Sequence, residues 1–534
     1  MKNELGYKLM LAFDGFAVPQ RIREWIVERN PAGFTLFRGL NVQNPAQVRA
    51  LTAELQAIAA QANQPPLIIA TDQEGGQLNA LGEETTLFPG NMALGATRDV
   101  ALAQRVGQAM GRELAALSVN VNYAPVCDIS SNPQNPACGI RAFGDDPALT
   151  AEMAAALVAG MQAEGVAATI KHFPGIGEAK VDSHYSLPVL DHSQERLDDE
   201  ELRPFRATIT AGAKLLMSGH FAIPALTDSR DLPATLSRAV MRDFVRDELG
   251  FDGIVITDAL DMGAISQGAG QIVDVITAVR AEVDLLLLTS SAEVQERLYA
   301  GLQLALSRGL IDETHLKPSL ERILALKQWL AQTPQPPLEV VACAEHRALA
   351  QEVANRAITL VRNEANLLPL RLESDAKIAI IMPQPKDLTP ADTSSFITPG
   401  LATAVRAHHP RVDEFITSHP PTANEIANLR QKATEYDLLI VGTLSASLDG
   451  MQAELMRGLL DTAVPTVTIA LRTPYDLTAY PQAQTHVCSY SILPAAMRAL
   501  AAALFGAIPF QGKLPVRLGG LYEFGHGLSV ISER

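Results

Sequence analysis

Short apolar runs rich in β-branched residues alternate with longer Ala/Leu/Glu-rich stretches through the first two thirds of the chain. The runs are Leu9–Phe13, Gly33–Phe37, Leu67–Asp72, Val119–Val126, Ala167–Phe173, Lys214–His220, Gly253–Ala259 and Val283–Thr289. Between them, apolar positions recur at helical spacing. Strands that alternate with helices predict a parallel sheet, because parallel strands need a crossover. Eight such units within about 330 residues match a closed (β/α)₈ barrel of the TIM type. An open doubly wound sheet has the same period and stays as the structural alternative.

Gln332–Leu338 breaks this pattern, with Pro334, Pro336 and Pro337 favouring an extended, stiff connection. The alternation then resumes at Lys377–Met382, Asp437–Thr443, Thr466–Leu471 and His486–Tyr490. We therefore divide the chain into a barrel over 1–335, a Pro-rich linker over 336–344, and a C-terminal α/β sandwich domain with a partly parallel sheet over 345–534.

With 534 residues and 47% hydrophobic composition, the chain has enough apolar material for two sizeable cores. Its formal net charge of −16 argues against a nucleic-acid partner and against an anionic membrane surface. The apolar runs are too short to be membrane helices, which excludes membrane insertion as a prediction. A neutral or small ligand fits best, and nothing in the pattern sets an oligomeric state. The four cysteines, Cys127, Cys138, Cys343 and Cys488, are dispersed and form no CxxC pair. That favours reduced thiols over a disulfide scaffold or a zinc site. Leu9–Phe13 is also shorter than the apolar core of a signal peptide. A cytoplasmic location is expected if Met1 is the true start.

In a barrel, chemistry sits at the C-terminal ends of the strands. Here those ends carry Asp72-Gln73-Glu74, Asp128, Lys171-His172, His220 and Asp258. Five strands delivering ionisable groups to one rim predict a shared polar pocket. The loop after the fifth strand adds Asp182-Ser183-His184. At that spacing an Asp can fix a His tautomer and leave its other nitrogen for proton transfer. The alternative is an Asp that caps a turn beside an exposed His.

The segment KHFPGIGEAKVDSH (171–184) resembles the signature of the β-N-acetylglucosaminidases of glycoside hydrolase family 3. Further blocks in the same order carry the likeness along nearly the whole chain. They include Asp72–Gly76, Ala124–Asp128, Arg141–Gly144, Pro233–Ser237, LGFDGIVITDALDMGAI, Ala357–Leu370 and Gly512–Val516. The resemblance implies that Asp258 is the catalytic nucleophile, His184 the general acid/base and Asp182 its carboxylate partner. It implies that Asp72, Arg141, Lys171 and His172 hold the sugar hydroxyls, and that no metal or organic cofactor takes part. Two positions depart from the pattern: Gln77, where many relatives have Arg, and Ile176, where His or Leu is frequent.

Retaining glycoside cleavage needs a carboxylate on one face of the anomeric carbon and a proton donor near the leaving oxygen. A histidine titrates near working pH without the burial that a glutamic acid would need. The glycine-bearing loop could let the acid swing in when substrate binds. The activity this implies is an exo-acting β-N-acetylglucosaminidase for a small carbohydrate, either muropeptide fragments, as in peptidoglycan recycling, or chito-oligosaccharides. Three other readings stand beside it: a glycoside phosphorylase, a hydrolase for another sugar such as a glucoside, and a non-catalytic sugar-binding protein. With the Asp-Ser-His motif present, the second domain is expected to be a scaffold or a cover for the rim.

Overall fold

The computed structural model describes residues 4–529; Met1, on which the expected start of the chain rests, lies outside them. The barrel strands are β1 (Leu9–Leu11), β2 (Gly33–Leu36), β3 (Ile68–Thr71), β4 (Val121–Asn122), β5 (Ala167–Phe173), β6 (Leu215–Ser218), β7 (Ile254–Thr257) and β8 (Leu286–Leu287). They pair in parallel in the order β8-β1-β2-β3-β4-β5-β6-β7. A parallel bridge between Ile256 and Leu285 joins the two ends and closes the ring. This is the predicted barrel, not the open sheet. Strands four and eight are shorter than their apolar runs. Pro125 lacks the N–H that would carry the β4 ladder onward. Three of the long barrel helices start where a side chain satisfies a free backbone N–H group. Asn44, Asp99 and Asp146 cap helices Pro45–Gln61, Val100–Ala116 and Pro147–Ala163 by accepting from Gln47, Leu102 and Leu149 N–H.

The last barrel helix, Glu313–Leu330, is followed by a connection that is irregular except for the 3-10 turn Leu338–Val340, and then by helix Ala344–Ala357. The second domain holds β9 (Thr359–Asn363), β10 (Ile378–Pro383), β11 (Val412–Thr417), β12 (Leu438–Thr443), β13 (Thr466–Ala470) and β14 (Thr485–Cys488). Its sheet order is β9-β14-β13-β12-β10-β11, parallel except for β9, which pairs antiparallel to β14. Two of these strands are additional to the predicted four. β11 is an edge strand whose middle residues Asp413–Ile416 are partly or fully exposed, so its sequence lacks a buried apolar run. β9 is entered directly from a helix, which hides its start.

The two domains share one hydrophobic cluster, which runs from Phe34 and Met92 in the barrel to Tyr475 and Leu514 in the second domain. Polar ties reinforce it. His346 Nδ1 meets Glu113 Oε1 at 2.8 Å, and Arg356 meets Asp99 at 2.8 Å. The segment Gly512–Val516 returns to the barrel, where Lys513 N–H donates to Ala96 O at 3.0 Å and Asp145 N–H to Pro515 O at 3.0 Å. Among the described residues, no helix is long and apolar enough to cross a membrane. Cys127, Cys138 and Cys488 are buried free thiols, and Cys343 is a partly exposed one.

Candidate active site

Asp72, Lys171, His172 and Asp258 leave the barrel at or just beyond a strand end, Arg141 closes the short 3-10 turn Gly139–Arg141 in the loop after β4, and Asp182 and His184 lie in the loop after β5. Asp72 follows β3, and the next residues turn into a small antiparallel hairpin, Gln73–Gly75 against Leu78–Asn79, that the strand pattern does not predict. Gly75 and Gly76 make the turn with φ of +83° and +62°, a conformation that side-chain-bearing residues adopt rarely. Lys171 and His172 end β5, and Asp258 follows β7.

An alternating chain of charges ties the rim together. Lys171 Nζ lies 2.5 Å from Asp72 Oδ1 and 2.7 Å from Glu74 Oε1. Arg141 forks the same Glu74, Nε to Oε2 at 2.9 Å and Nη2 to Oε1 at 2.8 Å. Burial alone would raise the Glu74 carboxyl, but Arg141 and Lys171 outweigh it and hold it at about 2. Asp128 fixes His172: its Oδ2 lies 2.7 Å from Nδ1, and its Oδ1 accepts from the backbone N–H of His172 and Ile176 at 3.2 and 3.0 Å. Arg141 Nη2 stands 3.3 Å from His172 Nε2. A guanidinium only donates, so Nε2 is the acceptor and the ring proton sits on Nδ1, facing Asp128.

Glu74 was not among the residues singled out from the sequence, where it reads as one more acidic position beside Asp72. Its only signal is that two cations, Arg141 and Lys171, need a buried counter-charge. Glu74→Gln keeps the shape and leaves both cations undercompensated. We expect it to lower unfolding stability by about 3–5 kcal/mol, as for a broken buried ion pair. Chemical denaturation would measure this, and a loss near zero would refute the role.

Asp182 and His184 form the dyad expected from their spacing. Asp182 Oδ1 accepts from His184 Nδ1 at 2.7 Å and from its backbone N–H at 2.9 Å. Asp182 is buried and His184 half-buried. The loop that carries them is fastened on both sides. Asn135 donates to Ile176 O and Gly177 O at 2.7 and 2.9 Å, and Asn132 donates to Glu178 O and Ala179 O. On the other flank, Gly263 and Ala264 N–H donate to His184 O and Ser183 O at 2.9 and 3.1 Å. A Cβ at 263 would come within 2.5 Å of Tyr185 O, so only glycine allows this approach. His184 therefore stands docked in the cavity, and the expected swing of the loop is not needed to bring it there.

Asp258 is half-buried, and its Oδ1 accepts from Ala259 N–H at 2.8 Å. Burial would raise its carboxyl, but the facing imidazoles of His172, His220 and His184 more than offset this and hold it below the ordinary range. His220 is fully buried, bonded to Thr235 Oγ1 at 2.9 Å and to Ala259 O at 3.2 Å. Burial lowers its own pKa, and its Nε2 braces the backbone carbonyl of Ala259 beside Asp258.

A cavity of about 300 Å³ brings Asp72, Arg141, Lys171, His172, His184 and Asp258 together. Of the seven site residues named from the sequence, only Asp182 does not line it; it stands behind His184. One wall comes from the second domain, through Pro390–Thr393 and Phe396. No sequence signal marks this wall. The departure at Gln77 lies under it, and Ile176 packs in the hydrophobic core. Among the described residues, no group of three or more His, Cys, Asp or Glu side chains is placed to hold a metal ion.

Residues 4–326 match the N-terminal domain of glycosyl hydrolase family 3, and residues 358–523 match its C-terminal domain. The chain is 32% identical to beta-hexosaminidase A of Pseudoalteromonas piscicida, over 96% of each chain. Its fold superposes with a TM-score of 0.92 on a family 3 beta-N-acetylglucosaminidase from Paenibacillus sp. str. FPU-7, at 36% identity over 97% of this chain and 99% of that one. A beta-glucoside phosphorylase is similar at a TM-score of 0.81 and 26% identity, over 98% and 94%. Sequence likeness along both domains and a shared two-domain fold give one conclusion: the chain belongs to glycosyl hydrolase family 3.

Proposed function

We propose that the protein is a retaining exo-β-N-acetylglucosaminidase that removes terminal N-acetylglucosamine from muropeptide or chito-oligosaccharide fragments. The observation that carries this reading is the Asp182–His184 dyad opening into the same cavity as Asp258. Asp258 attacks the anomeric carbon and forms a glycosyl-enzyme. His184 protonates the leaving oxygen through Nε2, then takes a proton from the water that releases the sugar. Asp182 holds Nδ1–H and so sets the tautomer. Asp72, Arg141, Lys171 and His172 bind the hydroxyls. The second domain is a cover for the rim in this reading, and the acid/base comes from the barrel. A cytoplasmic location belongs to it, supported by the unpaired cysteines and testable by cell fractionation with an activity assay.

The test is turnover of 4-nitrophenyl β-glycosides of N-acetylglucosamine, glucose and xylose, each with and without phosphate. We expect the N-acetylglucosaminide to be preferred and free N-acetylglucosamine to be the product in both conditions. Formation of the sugar 1-phosphate would replace hydrolysis with phosphorolysis, and preference for the glucoside would change the substrate.

The pH profile follows from the two groups. His184 would be lowered by its burial, but the Asp182 hydrogen bond and the charge of Asp258 outweigh this and raise it above 6.5. Asp258 is held below 3.8. The active form needs a deprotonated Asp258 and a protonated His184. The acid limb of kcat/KM should therefore lie below pH 3.8 and the alkaline limb above pH 6.5. Asp182→Asn removes the carboxylate that favours the imidazolium, so the alkaline limb should move to lower pH. A limb that stays in place would exclude Asp182 from this role.

A further inference from the structure

The cavity wall made by the second domain is held by a buried clamp. The loop that follows β10 presses Pro390–Phe396 against the hairpin after β3. Gln77 spends both ends of its side chain across the domain boundary: Nε2 donates to Ala391 O at 3.0 Å, and Oε1 accepts from Arg472 Nη2. Gln77 O accepts from Thr393 N–H at 2.8 Å and from Thr393 Oγ1 at 2.9 Å, and Asn79 N–H donates to Thr393 Oγ1 at 3.1 Å. Arg472, in the loop after β13, also reaches Asp392 Oδ2 at 2.8 Å. Asp392 in turn ties the loop to itself, accepting from Leu388 N–H at 3.2 Å and Ser394 N–H at 2.8 Å. Gln77, Arg472 and Asp392 are all buried. Charged hydrogen bonds of this kind are stronger than neutral ones and hold a loop in one place.

The wall's position bears on specificity. In the eight-strand ring, β3 and β7 stand four places apart, on opposite sides of the mouth. The wall rests on the β3 hairpin, whereas Asp258 follows β7 and the His184 loop is fastened to Gly263 and Ala264. A pyranose with its anomeric carbon at Asp258 therefore points its non-reducing end at the wall. From this geometry we infer that Pro390–Phe396 is an end-stop that admits one terminal sugar. Gln77, Arg472 and Asp392 are the positioning residues that hold it. The inference rests on the hexosaminidase reading above and explains how that same site selects chain ends. It also accounts for the departure at 77. An Arg there would set a second guanidinium against Arg472, so Gln77 and Arg472 form a matched pair.

The test uses the full-length enzyme and 4-nitrophenyl β-chitobioside. A site one sugar deep must first release N-acetylglucosamine, leaving the 4-nitrophenyl monosaccharide, so nitrophenol appears after a lag. With the stop displaced, both sugars fit beyond the nucleophile, and chitobiose and nitrophenol leave together without a lag. Arg472→Ala should produce this early chitobiose. It should also raise KM for the 4-nitrophenyl N-acetylglucosaminide by roughly tenfold to a hundredfold, as for one lost charged hydrogen bond. Both limbs of the pH profile should stay in place, because Asp258 and His184 are untouched. Thr393→Val, a near-isosteric change that removes only the hydroxyl bridge, should do the same more weakly and decides the matter if Arg472→Ala does not fold. The exchanged pair Gln77→Arg/Arg472→Gln should restore the lag. Folded variants that keep the lag and the wild-type KM would overturn the end-stop. A wild-type enzyme inactive on both substrates would overturn the hexosaminidase reading with it, before any variant is made.

Discussion

Asp258→Asn should lower kcat by at least on the order of 10⁴-fold, the scale seen when a covalent catalyst is removed. The change is nearly isosteric. The amide oxygen can still accept from Ala259 N–H, which the Asp258 carboxylate meets at 2.8 Å, so the strand end should keep its shape. What disappears is the negative charge that His172, His220 and His184 face and stabilise. The neutral amide cannot attack the anomeric carbon or offset the positive charge that builds there. Sugar binding should survive, because Asp72, Arg141, Lys171 and His172 are unchanged. Calorimetry with N-acetylglucosamine would measure the binding, and turnover of the 4-nitrophenyl glycoside would measure the loss. A 5-fluoro N-acetylglucosaminyl fluoride should label Asp258 in the wild type. Label found on any other residue would assign the nucleophile elsewhere.

The second large effect is expected at His184 and should depend on the substrate. A poor leaving group needs a proton as the bond breaks, and a good one does not. His184→Ala should therefore cost about 10²–10⁴-fold on a natural disaccharide and little on a dinitrophenyl glycoside. The hydrogen bond from Nδ1 to Asp182 at 2.7 Å leaves Nε2 as the proton-bearing atom available to the cavity. Azide attacks the glycosyl-enzyme without a base, so it should restore turnover where deglycosylation is slow and leave a glycosyl azide as product. Equal loss on good and poor leaving groups, with no azide effect, would reduce His184 to a wall of the pocket. Asp258 and the fold would stand unaffected.

How much of this was legible in the chain differs from residue to residue. The eight apolar runs predict the barrel because each parallel strand is buried on both faces and must be apolar throughout. β11 fails that test, since as an edge strand it runs Val412-Asp413-Glu414-Phe415, with two acidic residues in succession and a partly exposed middle. The Asp182–His184 pair is legible because its contact spans two residues, and so short a loop leaves few ways to separate them. Strand ends place Asp72, Lys171, His172 and Asp258 on one rim, since side chains at corresponding ends of parallel strands share a layer.

Other features depend on contacts between residues far apart in the chain, and no local spacing encodes those. Glu74 lies 67 residues from Arg141, and Gln77 lies 395 from Arg472. Each of these residues is an ordinary polar side chain in its own segment. Glu74 becomes a buried anion only when two cations, Lys171 from β5 and Arg141 from the turn Gly139–Arg141, close over it. The loop at Pro390–Phe396 becomes a wall only when the second domain is packed against the β3 hairpin. Local sequence thus specifies the strands, the caps and the dyad, because those interactions act within a few residues. The depth of the cavity, the counter-charge beneath it and the second-domain loop that forms one of its walls are set by long-range packing, where burial determines what each polar group must find as a partner.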